Sequence, residues 1–358
     1  MDMRHLLGKV ILLSFVLQSS YVLGIQWLSL WSTRLSWNAT IHCGLARRHH
    51  GLQGRQARLC RARLDAMPHA VEATRRAVAA CQDAFHDRRW NCSSVLKAPN
   101  FLPDLTTGNR EQAFVYALSS ASLAHTWARA CGQGQLPSCG CGQLPQEPPH
   151  GDFKWGGCAD NVRFGTRLAR AFTDSPWKKA PVRGTLEALV NRHNYKAGRQ
   201  AIHESLTTQC KCHGVSGACN VKTCWRGLAS LRQVSHRLKR RYQVAVEVAA
   251  YGPAALGRTG KIVPVSVHAG RLQKGDLVYR TKSPDYCGAD VRAGSVGTHG
   301  RKCNSTDAGT LGCDSMCCGR GYTTIRKKVS ERCHCRYHWC CFVECKTCTS
   351  WMEINVCK

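Results

Sequence analysis

The sequence predicts an α+β, disulfide-rich protein. A mainly helical N-terminal domain carries a stapled hairpin, and a small cysteine-rich β-hairpin C-terminal domain follows. Three observations predict this. The 24 cysteines form two groups, one from 43 to 224 and one from 287 to 357, with none between 225 and 286. Before Tyr242 apolar residues recur every three to four positions; after it they alternate or are β-branched. The chain also opens with a segment patterned for export, which favours paired over metal-bound cysteines. The boundaries drawn are 1–24 for a signal segment, 25–250 for the helical domain, 251–275 for a linker and 276–358 for the cysteine-rich domain.

Residues 1–24 have the form of a secretory signal peptide. Arg4 and Lys9 flank the start of the apolar run Val10–Leu17, and Tyr21-Val-Leu-Gly24 ends on a small residue, placing cleavage after Gly24. The run is too short for a comfortable membrane span. The mature chain is read as extracellular. Cys-x-Cys occurs at 139/141, 210/212 and 333/335, and Cys345-x-x-Cys348 looks like half a zinc site. Behind a signal peptide these read as disulfide partners, with no metal.

The helical domain is read from its stripes. Leu59, Leu64, Met67, Val71, Val78, Cys81 and Phe85 mark one, and Phe114, Ala117, Ala121, Ala124 and Trp127 another. Leu186, Leu189, Val190, His193, Ala197 and Ala201 give a third, with His193 taken as a satisfied core residue. Leu228, Leu231, Val234 and Leu238 give the last. Pro145 to Pro149 is a loop. After Tyr242, Gln243–Val248, Lys261–Val267 and Asp276–Arg280 read as strands. The C-terminal seventy residues are too rich in cysteine to bury much core, and short irregular hairpins are expected there.

The formal charge is +29, from 51 Lys and Arg against 22 Asp and Glu. Such a field attracts polyanions. Outside the cell that excludes nucleic acid and points to sulfated glycosaminoglycans or anionic surfaces. The densest runs are Ser235–Tyr242 and Arg326–Lys328. Asn38, Asn91 and Asn304 each head an N-glycosylation sequon, which places them at the surface.

The stretch Cys210-Lys-Cys-His-Gly-Val-Ser-Gly-Ala-Cys-Asn-Val-Lys-Thr-Cys-Trp225 holds four cysteines, which permit three pairings. The nested pairing makes a stapled hairpin with His213 to Ala218 as its closed tip. Closing so small a loop contributes roughly 2–3 kcal/mol. An inner pair that sets the register puts position 221 opposite 210, so the outer staple implies a bulge or twisted end. Three roles compete for Ser216. A hydrolase nucleophile would sit in Gly-x-Ser-x-Gly, but Ala218 stands where the last glycine belongs. A plain turn serine is the second role. A modification or contact point presented at a rigid tip is the third, and the staple favours it.

This stretch resembles the signature of the Wnt family of secreted morphogens. So do Arg88-Arg-Trp-Asn-Cys-Ser93, Trp155-Gly-Gly-Cys-Ala-Asp-Asn161, Cys317-Cys-Gly-Arg-Gly-Tyr322 and Cys333-His-Cys-Arg-Tyr-His-Trp-Cys-Cys341. The match covers almost the whole mature chain. Ala98–Leu105 with Arg110-Glu-Gln-Ala-Phe-Val-Tyr-Ala-Leu118 is most similar to the eleventh subclass. The resemblance implies an O-linked palmitoleate on Ser216, added by the acyltransferase Porcupine. It implies transport by Wntless and a lipid that enters a groove on the Frizzled cysteine-rich domain. Ala218 stands where many relatives have a second serine.

The resemblance also implies a second receptor contact, a finger within 333–348 that uses Tyr337, Trp339, Cys340, Cys341 and Val343. In the helical domain it implies the disulfides Cys81–Cys92, Cys131–Cys139, Cys141–Cys158, Cys210–Cys224 and Cys212–Cys219. In the C-terminal domain it implies Cys287–Cys318, Cys303–Cys313, Cys317–Cys357, Cys333–Cys348, Cys335–Cys345 and Cys340–Cys341. Cys43 and Cys60 are left as the remaining pair. The function implied is that of a secreted, palmitoleoylated ligand of Frizzled receptors and their co-receptors, retained by heparan sulfate proteoglycans in the extracellular space and matrix. It would be no enzyme and carry no cofactor beyond the lipid. The subclass implies mainly β-catenin-independent signalling that steers cell polarity and movement in development. The rivals are a secreted esterase using Ser216 and a matrix protein held by charge alone.

Overall fold

The structure, a computed structural model, describes residues 25–149, 153–178, 184–252 and 260–358. The expected signal segment 1–24 lies outside the described residues, as does part of the expected linker. After a 3-10 turn at Gln26–Ser32, helices run α1 Ile41–His49, α2 Gly54–Ala62, α3 Met67–Phe85 and α4 Arg110–Gly132. Strand β1 Phe153–Trp155 precedes α5 Val162–Thr173 and α6 Leu186–His203. Strands β2 Leu206–Cys212 and β3 Lys222–Leu228 lead into α7 Leu231–Gln243. The remainder is strand-rich: β4 Val246–Tyr251, β5 Lys261–Pro264, β6 Val278–Tyr279, β7 Ala289–Asp290, β8 Ser295–Val296 and β9 Lys302–Cys303. A short helix, α8 Cys313–Met316, comes before β10 Tyr322–His338 and β11 Phe342–Cys357. No helix among the described residues is long and apolar enough to cross a membrane.

Helix α4 is the axis of the first part. It is buried on nearly every side, and α3, α5, α6 and α7 all pack on it. A helix enclosed in this way cannot be amphipathic, which is why small residues alternate with Phe114, Tyr116 and Trp127 around its whole circumference. Local chemistry fixes the helix starts. Asn109, Asn161 and Ser230 each accept a backbone N–H from the third residue beyond them, and Thr185 does the same for Ala188. Phe85 meets Trp90, Phe114 and Tyr242 edge-to-face at 4.8–5.0 Å. Arg199 and Asp174 form a buried two-point ion pair of 2.9 and 3.1 Å, completed by Thr173 and Ser120 hydroxyls.

Two disulfides trim the ends of these central helices. Cys81, on α3, is bonded to Cys92, which is fully buried and has φ 59°, so the chain folds back sharply after α3. Cys131, in the last turn of α4, is bonded to half-buried Cys139 and fixes the turn that leaves that helix.

Several sequence expectations are corrected. The first stripe is broken: α2 ends at Ala62, and a 3-10 turn at Leu64–Ala66 precedes α3. Leu228 closes β3 rather than opening α7, whose cap is Ser230. Gln243 ends α7, so the following strand begins later than its alternation suggests. The C-terminal part is dominated by one long antiparallel ribbon, β10–β11, not by short irregular hairpins. Its register slips by one residue between Cys333 and Arg336. His193 behaves as expected: it is half-buried, its Nε2 lies 3.0 Å from the Asp276 carbonyl, and burial lowers its pKa.

Polar contacts join the two parts. The Arg301 guanidinium donates to the carbonyls of Arg88 and Arg89 at 2.6 Å and of His86 at 2.9 Å. These carbonyls lie at and just beyond the C-terminal end of α3, where a cation is favoured. Buried Glu111 accepts from the hydroxyls of Tyr242 and Ser283, each at 2.6 Å. Asp104 is buried where the chain turns at Gly294, and accepts from Trp90 Nε1 at 2.7 Å and from Ser94.

Candidate functional site: two stapled hairpin tips

The first hairpin, β2–β3, leaves the helical body between α6 and α7. Cys210 stands directly opposite Cys224, and Cys212 opposite Lys222. The outer staple is therefore in register, with the Cα atoms 4.0 Å apart. This corrects the expected bulge. The inner staple, Cys212–Cys219, closes a loop beyond the ladder, and the irregularity sits at Cys219–Val221. The strand ladder continues one step further through a His213 N–H to Val221 carbonyl bond of 2.7 Å.

At the tip a single 3-10 turn spans Val215–Gly217. Gly214 donates its N–H to the Ala218 carbonyl at 2.8 Å, and Gly217 donates to Gly214 at 2.9 Å. A side chain at Gly214 would collide with Asn220 and with the Ala218 backbone. Gly217 has φ +80°, which favours glycine. Ser216 itself holds φ 55°, a left-handed conformation uncommon for a serine and kept only because the staple and turn constrain it. Ser216 is exposed, and its neighbour Val215 is 87% exposed.

The hairpin root is braced by residues that sequence reasoning left without a role. Strand β1 pairs parallel with β3, and Gly156 donates to the Cys224 carbonyl at 3.0 Å. The Asp160 carboxylate accepts the Leu228 N–H at 2.7 Å, and Arg226 lies over the Trp155 ring. Cys141–Cys158 anchors that brace. Spacing could not reveal it, because the contacts reach from 155–160 to 224–228.

The second tip ends the β10–β11 ribbon. Tyr337 pairs with Val343 and His338 with Phe342, leaving Trp339, Cys340 and Cys341 as the turn. Cys340 and Cys341 are bonded to each other, Cys340 has φ +85°, and Trp339 is 91% exposed. Directly opposed residues share a face, and that face repeats every second residue. Tyr337 and Val343 therefore sit on the same side as the Cys335–Cys345 staple. Phe342, stacked on His338 at 4.8 Å, forms the opposite side and is not among the residues singled out from sequence. An aromatic beside a vicinal cysteine pair was the available signal.

The remaining sulfurs of the C-terminal part are joined as Cys287–Cys318, Cys303–Cys313, Cys317–Cys357 and Cys333–Cys348. Cys287 and Cys318 are both half-buried, and their bond ties the segment before β7 to the one that opens the ribbon. In the helical part Cys43–Cys60 completes the set. In the clusters at Cys303, Cys313 and Cys317 and at Cys333, His334 and Cys348 every cysteine sulfur is disulfide-bonded and offers no thiolate to an ion, which leaves the His334 imidazole as the one donor of the second. Asn38 and Asn304 are exposed and Asn91 is half-buried. The carboxamide oxygens of Asn91 and Asn304 accept the N–H two residues on.

Two exposed, disulfide-stapled tips, one on the helical part and one on the C-terminal ribbon, mark the class: a cysteine-rich protein built to present two small hairpin ends. Comparison with known proteins gives the family. The Wnt family profile matches residues 48–358. "Protein Wnt-11b-2" of Xenopus tropicalis is 46% identical over 337 residues, covering 93% of this chain and 94% of that protein. "Protein Wnt-11" of Gallus gallus is 44% identical over 348 residues, 97% of each. "Protein Wnt-5a" of Ambystoma mexicanum is 42% identical over 313 residues, 86% of each. In solved structures, a chain of human WLS in complex with WNT8A is similar at a TM-score of 0.59 and 30% identity, covering 82% of this chain and 95% of that one. This chain belongs to the Wnt family, whose members are secreted signalling ligands rather than enzymes.

Proposed function

We propose that this chain is a palmitoleoylated ligand that grips the Frizzled cysteine-rich domain with two tips. The observation that carries this is the placement of Ser216 and Trp339, each exposed at the end of its own stapled hairpin. Ser216 would carry the O-linked palmitoleate. Porcupine would add it in the endoplasmic reticulum, and Wntless would carry the product to the surface. The similarity to a chain from a WLS–WNT8A complex supports that last step. Burying an acyl chain gains roughly 0.8 kcal/mol per methylene, less the ordering costs of binding. A pre-stapled tip keeps those costs low. Trp339, with Tyr337, Val343 and the Cys340–Cys341 ring, would form the second contact, since tryptophan is a favoured interface anchor.

Signalling would run mainly through the β-catenin-independent branch that steers cell polarity and movement, in keeping with the subclass resemblance. Co-receptors would join the complex. The ligand would act from the extracellular space and matrix, where its charge supports retention by heparan sulfate proteoglycans. The signal segment 1–24 and the domain limits at 250 and 276 belong to the same proposal, as do glycans on Asn38, Asn91 and Asn304. The test is mass spectrometry of the Ser216 peptide from secreted protein, with and without a Porcupine inhibitor. An inhibitor-sensitive palmitoleoyl adduct is the expected result. An unmodified Ser216 in protein that still signals would sink the lipid mechanism.

A further inference from the structure

The basic run richest in sequence is not the free one in space. In α7 Arg232 pairs with Asp83 at 3.1 Å and Lys239 with Asp87 at 2.8 Å. Arg237 and Arg241 share Glu204, at 3.8 and 2.5 Å. His236 also faces Asp83. Of the basic side chains of this helix, Arg240 alone lacks a partner among the described residues. The run therefore fastens α7 to α3 and to the end of α6, and most of its field is neutralised.

The opposite holds for the helical hairpin α1–α2. Residues 41–64 contain six arginines and no Asp or Glu. Arg47, Arg48, Arg55, Arg58 and Arg61 are exposed, and none has an acidic partner among the described residues. Cys43–Cys60 ties the two helices together, while Cys43, Ala46, Gln56, Ala57 and Cys60 form the buried side. The arginines thus occupy the outer side of a pinned scaffold. On α2 they recur every third residue, a rise of about 4.5 Å per step. Helix stability does not account for them. Arg47 and Arg48 suit the C-terminal turn of α1, but Arg55 stands in the first turn of α2, where a cation is unfavourable.

We infer that the outer face of α1–α2 is a docking surface for a sulfated polysaccharide chain. Guanidinium groups bind sulfate oxygens through paired N–H donors, and arginine is less strongly hydrated than lysine. An extended polyanion needs repeated cations and no apolar anchor. The face matches that: its one large exposed apolar side chain is Ile41, at one end. A folded protein partner would need an apolar centre, and a bilayer would need an inserted apolar face. The inference rests on the polyanion-retention reading above and adds its address.

The test uses full-length secreted protein on immobilised heparan sulfate, titrated against salt. Two variants remove equal charge: Arg55/Arg58/Arg61→Gln and Arg326/Lys327/Lys328→Gln. Each exposed contact is worth a fraction of a decade in affinity, so the first variant should bind about tenfold more weakly and show a shallower salt dependence. The second should change little. Unaltered thermal unfolding would show that both variants fold. Equal losses in the two variants, or a loss confined to the second, would overturn the site while leaving polyanion retention standing. Wild-type protein that fails to bind at physiological salt would overturn retention and the site together. Arginine-dependent binding to phosphatidylserine vesicles, with none to heparan sulfate, would assign the face to membranes instead.

Discussion

Cys210 and Cys224 face each other across β2–β3 with Cα atoms 4.0 Å apart, whereas Cys212 is bonded past the ladder to Cys219. The two staples therefore do different work. The outer one clamps strands already in register; the inner one alone constrains the loop that presents Ser216. Cys212→Ser with Cys219→Ser should remove about 2–3 kcal/mol of loop constraint. Acylation of Ser216 should fall well below wild type while the helical body keeps its thermal unfolding midpoint. Mass spectrometry and circular dichroism check the two halves. Full acylation of the variant would show that the inner staple is dispensable.

The second tip yields a separable effect. Trp339→Ala should weaken binding to an isolated Frizzled cysteine-rich domain by about 2–4 kcal/mol. Secreted yield and Ser216 acylation should stay at wild-type levels, because Trp339 is 91% exposed and supports no core. Biolayer interferometry on acylated protein measures it.

Within the body, Asp174→Ala leaves the Arg199 guanidinium buried without its carboxylate. Breaking such a pair should cost about 3–5 kcal/mol. Secreted yield should drop, and the thermal midpoint with it. Replacing Arg76, which is exposed and pairs with Glu72 on the same helix, should cost under about 1 kcal/mol.

Asp104 gives a pH dependence. Burial pushes its carboxyl up to about 6 from 3.8, against the opposing bonds from Ser94 and Trp90. A folded pKa above the unfolded one means that its contribution is complete below pH 3.8 and is lost as pH rises through about 6. The group alone should lower unfolding free energy by about 3 kcal/mol between pH 3.8 and neutrality. Asp104→Asn stays neutral and keeps an acceptor, so its stability should lack that slope. Chemical denaturation at several pH values gives the comparison.

How much is legible in sequence depends on contact range. The α4 stripe is readable because Phe114, Ala117, Ala121, Ala124 and Trp127 obey a local period. The stapled tip is readable because its cysteines fall within fifteen residues. Its register is not, because counting from the inner pair misplaces the outer one, and an in-register outer pair reverses the inference. The long ribbon escapes notice since β10 is mostly polar and exposed, and β11 sets its exposed apolar residues in adjacent pairs, Phe342-Val343 and Trp351-Met352, so neither shows a core-facing alternation. The Asp160 brace and the Arg301 clasp join distant segments by backbone carbonyls and N–H groups, which carry no side-chain signature.

The ribbon bears on how far apart Ser216 and Trp339 stand. Two strands without a packed layer are only marginally stable. Strand β9 covers only Asn355 and Val356, and the Cys317–Cys357 bond fixes the root. Between that root and the staples near Trp339 the strands have open edges and can bend and twist together. The body is closely packed by comparison, with Ser216 carried on a short braced stalk. On the proposed two-tip reading, the ligand would work as a caliper with one stiff jaw and one sprung jaw, its gape set by the width of what it holds.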